Sequence, residues 1–427
     1  MFLGIDDTDG PDGMCTTYLM TLAAERFSSY VEDYPRLVRL NPNIPFRTRG
    51  NGALSLQLDR GRKRFTIGYV NGEPIVAGAA DPEPDLEKKI LEFWKTVKKY
   101  SSRDANTNPG MVLAQERDGG TFYELAVKGV VDRIFANTYI GRFSSRVFSL
   151  GNGRGTIGAF ASISWPSERV TYEVLAYQYP HPEPVPRDVM FNIADYADSF
   201  DFTFDNVDHR NRRATIFPSP KTPIIYGIRG TDPEKLLSLS LDINERFNLP
   251  VQRVFVFKTN QATDDHLIPY AGELRDLSSY TVQGVISENP HYIRGGHYFS
   301  SLSTLGRTIK LAAFEPTKEF RRIFSGLCPG DEVVVSGSYI RGTLNVEKLS
   351  VLSTSKVYIK TPPVCPQCGS RMDTRGAFDY TCGSCGSRSH LPAYVPLERK
   401  ISPGDYTVPV CARRHLSAPL PREVLKR

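Results

Sequence analysis

The chain opens Phe2-Leu3-Gly4-Ile5-Asp6-Asp7-Thr8-Asp9-Gly10-Pro11-Asp12-Gly13, an apolar run that ends in four aspartates. The apolar residues predict a buried strand, and the acidic residues predict the loop that leaves it. Beyond the loop, Leu19, Leu22, Ala23, Phe27 and Val31 recur at helical spacing, which predicts a helix over residues 15–31. Strand, acidic loop and helix in this order call for a mixed α/β arrangement, with the aspartates on the carboxyl edge of a sheet. Carboxylates this close repel one another unless a cation compensates them; Mg²⁺ bound through one or two carboxylates plus substrate phosphates is the usual solution. Aspartates also gather in loops as turn formers and helix N-caps, which is the competing reading. Thr16 and Thr17 fall in the first helical turn, where free N–H groups and the dipole favour phosphate, although either hydroxyl can instead cap the helix.

Working outward, a second helix is expected over residues 85–100, where Leu86, Ile90, Trp94 and Val97 share a face. Strands are expected at 53–58, 65–70 and 159–165, completing a mixed α/β domain over residues 1–205. Residues 222–258 read strand–helix–strand, compatible with a ferredoxin-like domain over 206–275. Short strands at 280–287, 308–314, 332–337 and 344–352, parted by Gly, Pro and Asn, suggest a small barrel over 276–356, read as an OB-fold. The expected fold class is therefore multidomain, α/β plus β.

The remaining segment, 357–427, holds Cys365-Pro366-Gln367-Cys368-Gly369 and Cys382-Gly383-Ser384-Cys385-Gly386. This C-x2-C-x13-C-x2-C spacing predicts a zinc ribbon, with four thiolates closing a tetrahedral structural Zn²⁺ site that has no open position for catalysis. Disulfides are the weaker reading. The opening residues lack a basic n-region and an apolar h-region, so no secretory signal is expected and the location is expected to be cytoplasmic. No run of about 18 apolar residues suggests a membrane span.

Composition fits this picture: 427 residues, 23% charged and 40% hydrophobic, are ordinary for a chain of several globular domains. The net charge of +6 is concentrated in residues 357–427, which carry eleven Lys/Arg against five Asp/Glu. A basic tail on a neutral body suggests contact with a polyanion; a merely solubilising tail is the alternative.

Two Gly-Asn-Gly loops recur with arginines beside them, at Arg47-Thr48-Arg49-Gly50-Asn51-Gly52 and Gly151-Asn152-Gly153-Arg154. Such sequences accept positive φ, so consecutive N–H groups can form an anion-binding nest; as plain hairpin turns they would be structural. Gly153, Gly155 and Gly158 satisfy G-x-G-x-x-G, but Ala159–Ser164 reads as strand, and the Rossmann interpretation is rejected on that ground. The chain has no G-x-x-x-x-G-K-[S/T]. Residues 201–210 put several carboxylates together, a patch that suits a cationic substrate or a solvated linker. Residues 258–266 are rich in hydrogen-bonding groups without an evident catalytic arrangement.

Taken together, Gly4–Asp9, Gly13–Tyr18, Arg39–Pro45, Arg47–Gly52, Gly151–Gly155, Gly227–Gly230, Thr259–Gln261 and the four cysteines resemble, in the same order, the archaeal tRNA(Ile) 2-agmatinylcytidine synthetase family. The resemblance spans essentially the whole chain. It implies an N-terminal kinase-like domain, a ferredoxin-like domain, an OB-fold and a zinc ribbon. It also implies a ligase that attaches agmatine to C2 of the wobble cytidine of isoleucine tRNA with anticodon CAU. In that family a phosphate from ATP activates the C2 oxygen, agmatine displaces it, and the product pairs with A. Carried onto this sequence, Asp6, Asp7 and Asp9 would hold Mg²⁺ and ATP phosphates. Thr16, directly after the motif Cys, would be the autophosphorylated residue, with Thr17 beside it. Arg47, Arg49, Gly50, Asn51, Gly52, Asn152, Gly153 and Arg154 would cradle phosphates, and Asp205 and Asp208 would meet the cationic agmatine. The expected partners are the tRNA and agmatine, with no DNA and no membrane. The chain departs from the family pattern at Ala262, where a Gly is expected, and at Lys221-Thr222-Pro223, where a Pro-Cys-Pro-like element is expected. The competing reading is a non-catalytic single-stranded nucleic-acid binder built on the OB-fold and ribbon.

Overall fold

Leu3 and Ile5 are fully buried, and the opening run forms β1 (Phe2–Asp6) as its apolar pattern requires. The structure, a computed structural model, describes residues 1–47, 50–59, 63–78, 85–143, 145–218 and 221–420. It divides into two units. One comprises residues 1–281, 336–342 and 407–427; the other comprises 282–335 and 343–406.

In the first unit β1 is followed by α1 (Thr16–Arg26), β2 (Arg36–Arg39), β3 (Gly52–Gln57), β4 (Phe65–Val70) and β5 (Glu73–Ala77). Next come α2 (Leu86–Glu92), α3 (Trp94–Tyr100), β6 (Gly110–Ala114), α4 (Thr121–Lys128), α5 (Arg133–Ile140), β7 (Arg146–Ser149) and α6 (Gly155–Ser164). The central sheet runs β7-β6-β1-β3-β2, with β1 antiparallel to both β3 and β6. One face packs on Leu19, Ala23 and Phe27 of α1 and its exit and on Ile90 and Val97 of α2 and α3; the other packs on Phe122, Ile140, Phe160 and Ile163 of α4, α5 and α6. The acidic loop therefore leaves a strand that is covered on both sides.

Three expectations about elements change. The first helix ends at Arg26, and the helix over 85–100 divides at Phe93. Residues 159–165, read as strand, lie instead in or just beyond α6. Every residue of α6 except Ile157 is buried, so the helix is covered on all sides and has no 3.6-residue stripe to read. The G-x-G-x-x-G run does lead from a strand into a helix. The Rossmann interpretation still fails, because β1 pairs antiparallel with both neighbours rather than in a parallel sheet.

The sheet continues through β8 (Thr171–Tyr177), α7 (Arg187–Asp198), β9 (Thr203–Phe204), the short pair β10 (Val207–Asp208) and β11 (Arg213–Ala214), β12 (Ile224–Gly230), α8 (Pro233–Arg246) and β13 (Arg253–Thr259). Asp232 caps α8 by accepting N–H bonds from Glu234 and Lys235, and Pro233 fills the first helical position, where its missing N–H costs nothing. The strand order β13-β8-β12-β9 places β8 between the two strands that α8 connects, a split βαβ arrangement. β8 and α7 come from within residues 1–205, ahead of the segment read as ferredoxin-like. β13 also pairs in parallel with β2, which fuses both parts into one sheet. Residues 407–420 return to this unit: Ala262 and Asp264 donate their N–H groups to His415 O and Leu416 O, each at 2.8 Å.

After β14 (Leu267–Pro269) the second unit takes in most of β15 (Ser278–Ile286), all of β16 (His291–Ile293), β17 (His297–Thr304), β18 (Arg307–Ala313), α9 (Phe320–Phe324) and β20 (Thr343–Ser353), and the first part of β19 (Glu332–Ile340). β15, β17, β18, β20 and β19 pair in a ring, closed where Val285 meets Ser303. The ring is locked to the chain beyond it by Arg399, which grips the fully buried Asp331 at 2.6 and 2.9 Å. Burial alone would raise the Asp331 carboxyl; Arg399 and the N–H groups of Ser355 and Cys328 hold it below its ordinary value.

Candidate active site

Asp6 ends β1 with its carboxyl against α6, and a Cβ on Gly158 would stand 1.8 Å from Asp6 Oδ2. The third glycine of the G-x-G-x-x-G run thus makes room for the carboxylate. Asp7 turns the chain at φ +54°. Burial, then the Asp7 charge, pushes Asp6 well above the usual carboxylate range. Asp7 is raised to about 6, by burial first, against the opposing pull of Arg154 3.7 Å away. The loop closes on α1 through Thr8, whose hydroxyl donates to Thr16 Oγ1 at 3.0 Å. Cys15 is the N-cap of α1, and no side chain caps it. The capping role allowed for Thr16 and Thr17 is therefore not the one they play. Both are buried in the first turn, where backbone N–H groups have no partner within the helix.

The two Gly-Asn-Gly loops are built differently. Asn51 sits at φ +48°, and its side chain donates to Asn41 O at 2.7 Å. In the other loop Gly151 and Gly153 have positive φ, and Asn108 Oδ1 accepts the Asn152 N–H at 2.9 Å. Arg154 Nη2 donates to Asn106 O at 2.9 Å, and the guanidinium lies over the Phe46 ring at 4.5 Å.

Asp6, Asp7, Asp9, Thr16, Arg47, Gly50, Asn51, Gly52 and Arg154 all line one cavity of about 250 Å³. Asn152 and Gly153 do not line it; Asn152 Oδ1 accepts the Arg154 N–H at 3.0 Å. Arg49 lies outside the described residues. Asp205 and Asp208 do not line the cavity. Asp205 is paired with Arg413 at 2.5 Å, and both side chains are buried. Asp208 accepts N–H bonds from Asn211 at 3.0 Å and Cys411 at 3.3 Å. Burial would raise the Asp208 carboxyl, but these bonds and the Cys411 thiol hold it below its ordinary value.

Arg39, Glu173, Arg229 and His415 are also among the lining residues. Glu173 is buried, with Arg39 Nη2 at 3.5 Å, Arg229 Nε at 3.6 Å and Gln261 Nε2 donating at 2.7 Å. Arg39 and Arg229 sit inside motifs visible in the sequence. Glu173 and His415 carry no local signal, since each acquires its meaning from partners far away in the chain.

In the second unit the sulfurs of Cys365, Cys368, Cys382 and Cys385 lie within 4.8 Å of one another, the spread that four thiolates around one tetrahedral zinc require. Backbone N–H groups of Cys368 and Gln367 face the Cys365 sulfur and lower its thiol pKa. Among the described residues no other set of three or more acidic, thiol or imidazole groups converges in this way.

One α/β unit thus gathers an acidic loop, arginines and one Gly-Asn-Gly loop on a single cavity, and the other unit carries a cluster of four cysteines. Family models for the TiaS TCKD domain, the TiaS FLD domain and the TiaS C-terminal zinc ribbon domain match residues 2–152, 153–266 and 362–401. The isoleucine-tRNA 2-agmatinylcytidine synthetase TiaS of Thermoplasma volcanium is 44% identical over 423 residues, covering 98% of this chain and 96% of the relative. The chain also resembles the crystal structure of TiaS in complex with its isoleucine tRNA and ATP, with a TM-score of 0.82 and 34% identity over 99% of this chain and 97% of that one. Its likeness to the complex of TiaS with the same tRNA, AMPCPP and agmatine has a TM-score of 0.78 at 32% identity, over 99% and 96% of the two chains. The chain belongs to the TiaS family of tRNA(Ile) 2-agmatinylcytidine synthetases.

Proposed function

We propose that this protein is an ATP-dependent ligase that joins agmatine to C2 of the wobble cytidine of isoleucine tRNA with anticodon CAU. The observation that carries the reading is the convergence of the aspartate loop, the Arg47 and Gly50–Gly52 segment, Arg154 and the first turn of α1 on one cavity. Phosphoryl transfer needs positioning and charge neutralisation, and these groups supply both. Asp6 and Asp7 would hold Mg²⁺, which neutralises phosphate charge; Asp9 completes the acidic wall. For the phosphates we assign Arg47, Gly50, Asn51 and Gly52 on the cavity lining together with Arg154, and, from the sequence, Arg49, Asn152 and Gly153. Thr16, buried at the helix start, is the phosphate-accepting hydroxyl, and Thr17 its neighbour. A phosphate from ATP passes to the cytidine C2 oxygen, and the agmatine amine then forms the C2–N bond as that oxygen leaves with the phosphate. For agmatine we assign Asp205 and Asp208. Asp205 holds the guanidinium of Arg413, the same cationic group that agmatine carries.

We read the first part of the chain, 1–205, as kinase-like, 206–275 as ferredoxin-like, 276–356 as an OB-fold and 357–427 as the zinc ribbon with its tail. The closed five-stranded ring with α9 between β18 and β19 supports the OB-fold label. Ring and ribbon would hold the tRNA while the wobble base, in a single-stranded loop, is splayed out toward the cavity. Among the described residues no helix is long and apolar enough to cross a membrane; the assigned location is the cytoplasm. The deciding experiment is mass analysis of anticodon nucleosides after incubation with isoleucine tRNA(CAU), Mg-ATP and agmatine. A wobble cytidine heavier by one condensed agmatine is expected. An unmodified cytidine with no ATP consumed would leave the non-catalytic nucleic-acid binder standing.

A further inference from the structure

Residues 413–417 run through the first unit rather than over its surface. Arg413 is paired with Asp205, Arg414 Nη1 donates to Asn43 Oδ1 and Ser338 Oγ at 2.6 Å each, and the backbone of His415 and Leu416 is bound to the loop after β13. This anchoring delivers the His415 ring to the cavity wall, where a Cβ on Gly50 would stand 3.0 Å from Nε2. His415 Nδ1 lies 2.7 Å from Arg229 Nη2 and 2.9 Å from Gln261 Oε1.

The chemistry of the partners selects the state of the ring. Nδ1 stands between a donor and an acceptor, and the shorter, charged contact decides. A guanidinium carries donors only, so Nδ1 must accept from Arg229; a proton on Nδ1 would set two donors face to face. Gln261 keeps its oxygen on the ring side, because its Nε2 donates to the Glu173 carboxylate at 2.7 Å and an oxygen there would face a negative charge. The ring is therefore neutral, with its proton on Nε2, which faces Gly50. Burial and the charges of Arg39, Arg229 and Arg47 all oppose its protonation and keep the imidazole pKa well below the ordinary value. Arg229, which lines the cavity, is then held at Nη2 by His415 and faces Glu173 through Nε.

We propose that His415 is a positioning residue, whose unprotonated Nδ1 aims the Arg229 guanidinium at the anionic ligand of the cavity. The identity of that ligand, ATP, rests on the function proposed above; the geometry of the ring does not. The same network gives the Thr259-Asn260-Gln261 motif a task. Asn260 accepts the Arg39 N–H at 2.7 Å and donates to Arg39 O at 2.9 Å, while Gln261 fixes Glu173, so the motif holds the wall on which both arginines stand.

The test uses the full-length protein labelled with ¹⁵N-histidine, with the His415 signal picked out of the seven rings by comparison with H415N. The His415 ring is expected to stay neutral and Nε2-protonated from about pH 5 to 8. A ring that titrates in that range, or carries its proton on Nδ1, overturns the proposal. Kinetics supply the second arm. H415N keeps an acceptor at the Nδ1 position and should retain kcat/KM for ATP within about threefold, whereas H415L should lose at least about tenfold. The H415L R229Q double variant should be no worse than R229Q alone. Equal losses in H415N and H415L, or losses that multiply with R229Q, also overturn it. A wild-type protein that is inactive in ligation sinks the function reading, and the ring signal then decides the geometry by itself.

Discussion

Asp7 occupies the left-handed region, a backbone state Asp tolerates better than most residues, and holds its carboxyl partly buried against Arg154. Removing that carboxylate should strike charge neutralisation and leave the rest of the chain's surface alone. We expect Asp7→Ala to cut cytidine modification by about a hundredfold or more while tRNA affinity stays within about twofold. Nucleoside mass analysis and equilibrium tRNA binding on the same preparation check this; a matching loss of tRNA affinity would contradict the role given to Asp7. At this scale the legible residues were those whose crowding demands a cause. Four aspartates in one loop raise a question by themselves, and arginines beside Gly-Asn-Gly raise another. Glu173 and His415 raise none: Glu173 meets Gln261 across 88 positions and His415 meets Gln261 across 154, so only the folded chain shows what they touch. The reverse also occurs. Asp205 and Asp208 looked available in the sequence, but the chain's own residues 411–413 occupy them.

Elements were legible where a period or a cap speaks locally. α8 falls in the segment read as strand–helix–strand, and β1 in the opening apolar run. β17 escaped because Ser300, Ser301, Ser303 and Thr304 disguise a strand whose inner positions are partly hydroxyl-lined. α6 escaped because small and apolar residues surround it on all sides, so neither alternation nor helical period marks it. Its glycines have a steric purpose that strand geometry would never have suggested. A Cβ at position 158 would lie 1.8 Å from Asp6 Oδ2, forcing the carboxylate or the helix to move. Gly158→Ala should therefore destabilise the first unit by about 1–3 kcal/mol and abolish modification even at temperatures where the protein remains folded. Chemical denaturation alongside the nucleoside assay separates the two effects. Wild-type activity in the folded variant would mean that Asp6 does not need this seat.

At the scale of the whole molecule, the ribbon was readable because its spacing is local, whereas the path of the chain beyond it was not. The excess positive charge of residues 357–427 suggested a tail free to meet a polyanion. Arg413 and Arg414 are instead bound inside the first unit, and we propose the ribbon itself as the surface offered to a nucleic acid. There Tyr358, Phe378 and Tyr394 are exposed and Lys360 lies over the Phe378 ring at 3.5 Å, the mixture of aromatic and cationic groups on which unpaired bases stack. That surface exists only if the ribbon folds. Its own apolar cluster is small, consisting of Cys365, Met372, Tyr380 and Cys382, two of which are metal ligands. A core of this size does not offset its conformational entropy without the metal. Replacing Cys365 and Cys368 together by Ser leaves two thiolates, too few to close the site. We expect zinc content, measured by plasma emission, to fall from about one per chain to none, and tRNA affinity to drop by about tenfold. The Asp331–Arg399 lock and the first unit use no zinc, so the main unfolding transition should be preserved. Retained zinc would contradict the ribbon assignment, and unchanged tRNA affinity in a zinc-free protein would move recognition away from this surface to the five-stranded ring.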